Sequence, residues 1–222
     1  TAATESVLLT AAIDAMEGWD IMTSDIPNAF IQAEMPQADD GHEKVIMKIT
    51  GPLVELLIDI NPHLYGPMVV FEKGRRVIYV WVLKAIYGML IAALLWYKKF
   101  KLKLEGVGFQ FNPYDPCVAN RMVKNNMQTI IFHVDDIKSS HLDEKVNNEF
   151  EKWLNMEFGK HGSVTTRRGK VHDYLGMIID YTTEGEVKID MTKYVRDMLQ
   201  DFPITFKEGQ VATSPASEKS FT

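Results

Sequence analysis

The stretch Thr129-Ile130-Ile131-Phe132-His133-Val134-Asp135-Asp136-Ile137 decides how this chain is read. Its β-branched and aromatic run is strand material, and it delivers two adjacent carboxylates to its end. Just upstream, Lys124-Asn125-Asn126 is turn chemistry. The spacing therefore predicts a hairpin with arms near 117–123 and 127–134. Far upstream, Ile21-Met22-Thr23-Ser24-Asp25-Ile26-Pro27-Asn28-Ala29-Phe30 presents a third carboxylate in a strand-like setting. Three acids brought together from strand ends suit a pair of divalent ions that stabilise in-line phosphoryl transfer. Magnesium takes oxygen ligands, typically one or two carboxylates plus phosphate. Two other readings stand beside this one. An acidic pair at a strand end is also an ordinary solvated turn. His133, Asp135, Asp136 and His141 also lie close in sequence, although zinc favours Cys and His and no cysteine is near.

The chain has 222 residues, 46% hydrophobic, with a net charge of −6 and one cysteine, Cys117. That length buries a substantial core in one large domain or two small ones. A lone cysteine excludes an internal disulfide and fits a reducing compartment. The acidic balance excludes a uniformly basic nucleic-acid surface, so any such partner needs local basic patches. The chain opens on Thr1, without a signal-like segment, and closes on the linker-like run 207–222, so we expect a piece of a longer protein. Residues 77–97 carry only Lys84 as a charge, about the length of a spanning helix. Val77-Ile78-Tyr79-Val80-Trp81-Val82-Leu83 reads instead as a buried strand, and a central lysine is costly in lipid. We expect no membrane.

Around these motifs we expect a helix at 4–17 closed by Gly18, a strand into Asp25, a loop over 35–42 and a strand at 45–49. Residues 51–67 read as irregular because Pro52, Pro62, Gly66 and Pro67 interrupt them. A strand at 77–83, a helix from Lys84 to about Gly106 and a helix at 144–158 follow. Then come a hairpin with arms 174–181 and 187–191 and a last helix at 192–201. Helices mixed with antiparallel hairpins give an α+β class.

Several of these segments resemble copia-type retrotransposon reverse transcriptases. Asp25-Ile26-Pro27-Asn28-Ala29-Phe30 is similar to the family pattern D-V-x-x-A-F. Lys84-Ala85-Ile86-Tyr87-Gly88-Met89, followed by Trp96-Tyr97, resembles K-A-L-Y-G-L-K-Q-A-P-R-x-W-Y. Gly108-Phe109, Asp115-Pro116-Cys117 and Tyr174-Leu175-Gly176-Met177 match later stations, as does Lys193-Tyr194. His133-Val134-Asp135-Asp136 stands at the family's Y-V-D-D. The resemblance implies a polymerase palm, a small antiparallel sheet backed by helices, with a partial fingers insertion and the start of a thumb. The implied division is palm at 1–38 and 84–181, a fingers-like insertion at 39–83, a palm/thumb junction at 182–206 and a linker at 207–222.

It further implies an RNA- and DNA-templated DNA polymerase that adds dNTPs with two Mg²⁺ ions, or Mn²⁺. Asp25, Asp135 and Asp136 would be the catalytic and metal acids, with the Ile26 carbonyl as a further ligand. Phe30 would be a gate that rejects a ribose 2′-hydroxyl, or else an ordinary core ring. Tyr87 and Gly88 would meet the nucleotide, unless Tyr87 packs on its own helix. His133, Lys98, Lys99 and Lys101 would touch template or primer, the lysines alternatively forming a solvated helix face. Lys170, in a cluster with Arg167 and Arg168, would be a general acid. The implied partners are an RNA template, a DNA primer and the fingers, thumb and RNase H regions of the same polyprotein. The implied setting is a cytoplasmic virus-like particle whose product goes to the nucleus. Leu90-Ile91 and Ala93-Leu94 replace polar family positions, which motivates a second class, an inactive relic serving as a binding module.

Overall fold

The computed structural model describes residues 2–36 and 44–201. The stretch quoted first becomes two strands, β7 (Asn126–His133) and β8 (Asp136–His141), joined by a tight turn at Val134-Asp135. β6 (Val118–Val123) pairs with the other side of β7. Between them Lys124 and Asn125 both take positive φ, +50° and +64°, the mirror-image turn whose twist matches the strands it joins. β1 (Asp20–Asp25) lies along β8, and β9 (Thr165–Arg168) lies along β1. With β5 (Gln110–Phe111) on the far edge, the antiparallel sheet runs β5-β6-β7-β8-β1-β9.

Strand alternation gives this sheet two faces. α5 (Ala92–Glu105) and α6 (Glu144–Phe158) cover one of them: Phe100 meets Phe132 at 5.0 Å and Ser139 donates to Asn147. The other face carries Thr23 and Lys138, cross-strand partners. There Lys138 pairs with Asp14 of α1 (Thr4–Glu17), both almost fully buried. The hairpin of β10 (Val171–Tyr174) and β11 (Met177–Asp180) packs on the same face. Its Tyr174 hydroxyl donates to the Ile131 carbonyl and its His172 ring bonds the Thr23 hydroxyl. Asp25 and Asp136 lie two residues beyond Thr23 and before Lys138. They share this second face, at the opposite end of β1 from α1.

A separate three-stranded sheet, β2-β4-β3, comprises β2 (Ile46–Thr50), β3 (Val69–Glu72) and β4 (Arg75–Trp81). α3 (Pro52–Ile60) and the single turn α4 (Pro62–Tyr65) lie in its long connection. β12 (Lys188–Asp190) extends β11, and α7 (Thr192–Gln200) ends the described chain.

The α+β class holds, as do α1, α6 and the 118–133 hairpin. Four expectations need correction. Residues 51–67 are mostly helical, because Pro52 and Pro62 sit at the first turn, where a missing N–H costs nothing. The helix expected from Lys84 begins only at Ala92. Before it, the Ala85 N–H bonds the Ala33 carbonyl and Lys84 bridges Glu34, so the chain is committed to the segment after Gln32 instead. Residues 174–181 are a hairpin corner rather than one strand, with Leu175 and Gly176 at φ +54° and +76°. The strand at 77–83 forms as β4 but is buried only at Val77 and Ile78, with Tyr79 and Trp81 exposed, because among the described residues only α3 covers this small sheet. β3, β5, β8 and β9 have no counterpart in the expectations. The loop over 35–42 and the linker at 207–222 fall largely or wholly outside the described residues. Among those residues no helix is long and apolar enough to cross a membrane.

Candidate active site

Two strands deliver the acids. β1 runs antiparallel to β8 with Asp25 directly opposite Asp136, so their Cβ atoms sit on one face about 5 Å apart. Asp135 occupies the turn before Asp136, and its carbonyl accepts the Ile26 N–H at 3.0 Å. The end of β1 is thereby locked to the acidic turn. Inside that turn Val134 has φ +58°. For a β-branched residue this left-handed conformation costs about 1–3 kcal/mol, and the surroundings must hold it. The Trp96 indole N–H does so, donating to the Val134 carbonyl at 2.6 Å.

Charge accumulates here without compensation. Burial, and then the charge of Asp135, raises the Asp25 carboxyl above its ordinary range. Asp136 is likewise raised, first by burial and then by Asp135 and Asp25, with Asp173 adding and His133 opposing. None of Asp25, Asp135 or Asp136 has a lysine or arginine ion-pair partner among the described residues. Neighbouring carboxylates without a cation are a donor set that fits a hard divalent ion. They are adjacent by register rather than closed into a cage. Among the described residues no three His, Cys, Asp or Glu side chains converge as a ready-made metal site.

A cavity of about 390 Å³ opens beside the acids. Asp25 and Asp136 line it together with Arg167, Asp173 and the Leu175-Gly176 corner. Asp173 escaped sequence reasoning; its signal was its place just before Tyr174-Leu175-Gly176. Arg167 was grouped with Arg168 and Lys170, but the three part company. Arg168 pairs with Asp20 at 2.7 Å. Lys170 lines a different cavity, with Asp14, Trp19 and Tyr181. That cavity lies toward the Asp20 end of β1, roughly 17 Å of strand from Asp25. The structure does not bring Lys170 to the acids.

The remaining residues divide similarly. Phe30 sits on the short helix α2 (Ala29–Gln32), half-buried, with its ring 4.5 Å from that of Tyr87. Tyr87 is exposed and off any helix, so it does not pack on its own helix. Its phenol is raised by burial, by the charges of Asp135 and Asp25, and by a hydrogen bond to Asp135. Gly88 adopts φ +91° beside it, a conformation that side chains resist. His133 is half-buried opposite Asp136, with Nδ1 buried and without a hydrogen-bond partner among the described residues. The buried Ile26 contributes its amide to the Asp135 contact.

The lysines of α5 lie on the helix covering the other face of the sheet. Lys99 donates to the Gln32 carbonyl at 2.6 Å, and burial lowers its pKa. Lys101 neighbours Glu105 at 3.7 Å and the Phe111 ring at 5.0 Å. Lys98 is exposed.

The model of the family described as reverse transcriptase (RNA-dependent DNA polymerase) matches residues 59–216. The chain belongs to the reverse transcriptase family. The match includes Asp135 and Asp136, while Asp25 lies upstream and joins them through strand register. No curated protein matches the chain. Among solved structures, the chain resembles apo telomerase from Candida tropicalis at 12% identity and TM-score 0.48. That likeness covers 87% of this chain and 37% of the other. A form truncated from the C-terminal domain gives 10% identity, TM-score 0.47, and 86% and 40% coverage. Telomerase from Candida albicans in complex with a fragment of telomeric RNA gives 11% identity, TM-score 0.43, and 86% and 36% coverage. The reverse transcriptase chain thus spans about two fifths of those structures.

Proposed function

We propose that this chain carries the palm of a copia-type, RNA- and DNA-templated DNA polymerase. In this reading it transfers nucleotides from dNTPs to a primer 3′-hydroxyl. The observation that supports it is the register placing Asp25 opposite Asp136, with Asp135 tied to Ile26. Two Mg²⁺ or Mn²⁺ ions held by Asp25, Asp135 and Asp136 would neutralise the attacking and leaving oxygens. The protein's own part is positioning. β1 and the β7–β8 turn fix the acids, and the Phe30–Tyr87 pair would form the floor under the nucleotide sugar. Gly88 allows close backbone approach, and Arg167 is the cation that could meet a phosphate in the acid-lined cavity. Phe30 then excludes a 2′-hydroxyl by bulk. The small β2-β4-β3 sheet reads as part of the fingers, and α7 as the start of the thumb.

The same reading assigns an RNA template, a DNA primer and the remaining polyprotein regions as partners. It also assigns a cytoplasmic virus-like particle as the setting. Mg²⁺-dependent primer extension by the full-length parent, abolished in Asp135→Asn, tests it. A folded parent that binds primer–template but never extends it would instead be a relic. The fully exposed Leu90 beside Tyr87 and Gly88 is the feature that favours this second reading.

A further inference from the structure

Two side chains three residues apart on α5 hold two separate parts of the candidate site. Trp96 donates to the carbonyl of Val134, the left-handed residue of the turn bearing Asp135 and Asp136. Lys99 donates to the carbonyl of Gln32, the last residue of the helix bearing Phe30. Residues at i and i+3 share a helix face, so one rigid face reaches both elements. Trp96 is fixed in the core. It is 1% exposed, stacked on Phe100 at 5.5 Å and met edge-on by Phe158 at 5.4 Å. Gln32, in turn, spends its amide on the carbonyls of Pro27 and Phe158, at 2.9 and 3.0 Å. A half-buried lysine aimed at a neutral carbonyl rather than a carboxylate is doing a local holding task, not solvating a helix.

We propose that α5 is a strut that sets the metal-binding turn against the sugar gate, with Trp96 and Lys99 as positioning residues. Trp96 holds the acids and Lys99 holds Phe30. This rests on the polymerase reading above, and the two parts of the strut predict separable defects.

The test uses the full-length polymerase and Mn²⁺ as the probe, with binding followed by electron paramagnetic resonance. Trp96→Phe removes the donor and keeps an aromatic ring, smaller than the indole, against Phe100 and Phe158. Losing one hydrogen bond at the turn should weaken Mn²⁺ binding about 3–10-fold, with primer–template affinity unchanged. Lys99→Met keeps the aliphatic stem. It should leave Mn²⁺ binding within about twofold, yet shift dNTP-over-rNTP selectivity about 3–10-fold by the same hydrogen-bond arithmetic. Folded variants that match the wild type in both readouts overturn the strut. So does a uniform loss of both readouts in both variants, which is the mark of general loosening.

Should Trp96→Phe not fold, the wild type suffices. In indole-¹⁵N-labelled protein the Trp96 Nε1–H resonance should move on adding Mg²⁺, and the Asp135→Asn variant should abolish the movement. A resonance indifferent to Mg²⁺ while Mn²⁺ binding is intact overturns the proposal. Wild type and Asp135→Asn binding Mn²⁺ equally poorly would overturn the polymerase reading itself, and the strut with it.

Discussion

Asp136→Asn should stabilise the metal-free protein while removing its activity. Asp136 faces Asp25 across the strand pair and follows Asp135 in the chain, and no cation pairs with it among the described residues. Two carboxylates about 6 Å apart, at an effective dielectric of roughly 40–80 for this partly solvated edge, repel by about 0.7–1.4 kcal/mol. Replacing one carboxylate by its neutral isostere relieves at least one such pair. For a chain of this size that corresponds to a rise of about 2–5 °C in Tm. The pH dependence follows with a definite sign. A carboxyl whose folded pKa is raised penalises the folded state above that pKa. The penalty is relieved as pH falls toward the unfolded value near 4. The gain in Tm should therefore be full at pH 8 and vanish near pH 4. Mg²⁺ should shrink it by stabilising the wild type preferentially. Thermal melts with EDTA or Mg²⁺ across that range measure both trends. A variant that melts at or below the wild type in EDTA at pH 8 would refute the claim that these acids are held together against their own repulsion.

Phe30→Ala should raise ribonucleotide incorporation by the full-length polymerase at least tenfold, read by extension with rNTPs, because only ring bulk excludes the 2′-hydroxyl. Gly176→Ala should cost about 1–3 kcal/mol in denaturant melts. Its φ is +76°, and an added Cβ would lie 2.8 Å from the Tyr194 ring. Asp14→Ala should cost about 3–5 kcal/mol, since it strands buried Lys138 without its counter-charge. His172 is held neutral by burial, with its pKa lowered. Its contribution is present above the unfolded value near 6.5 and is lost as pH falls below it. His172→Gln should flatten the loss of stability between pH 7 and 5, seen in melts at fixed ionic strength.

What was legible in the sequence tracks where the physics is local. The β-branched run 129–134, the Lys124-Asn125 turn and the apolar period of 4–17 each specify their element through neighbours a few residues away. The structure reproduces α1 and α6 over the residues expected. β8 was invisible for a different reason. Its Ile-Lys-Ser-Ser-His run is polar, yet it is buried because Ser139 meets Gln128 and Asn147 while Lys138 meets Asp14. Those partners lie 8 to 124 residues away. Hydrophobic periodicity cannot register a strand paid for by distant polar contacts.

The same distinction explains the site. Asp135 and Asp136 announce themselves as an adjacent pair, but their meaning depends on Asp25 standing opposite, a relation fixed by strand register across more than a hundred residues. Lys170 fails for the converse reason, since sequence proximity to Arg167 says nothing about a corner between them. Gly169, at φ +107°, turns the chain between β9 and β10, leaving Arg167 in the acid-lined cavity and Lys170 in the other. Tyr87 shows how a wrong element can still harbour a well-placed residue. Had the helix begun at Lys84, Tyr87 would have been one helical position among many. Because the chain there is pinned to Ala33 and Glu34 instead, its ring is carried onto Phe30 and its hydroxyl to Asp135. The departure from helix at 84–91 is thus what joins the nucleotide-side residues to the acids, and a variant that extended α5 backward through Gly88 should separate them.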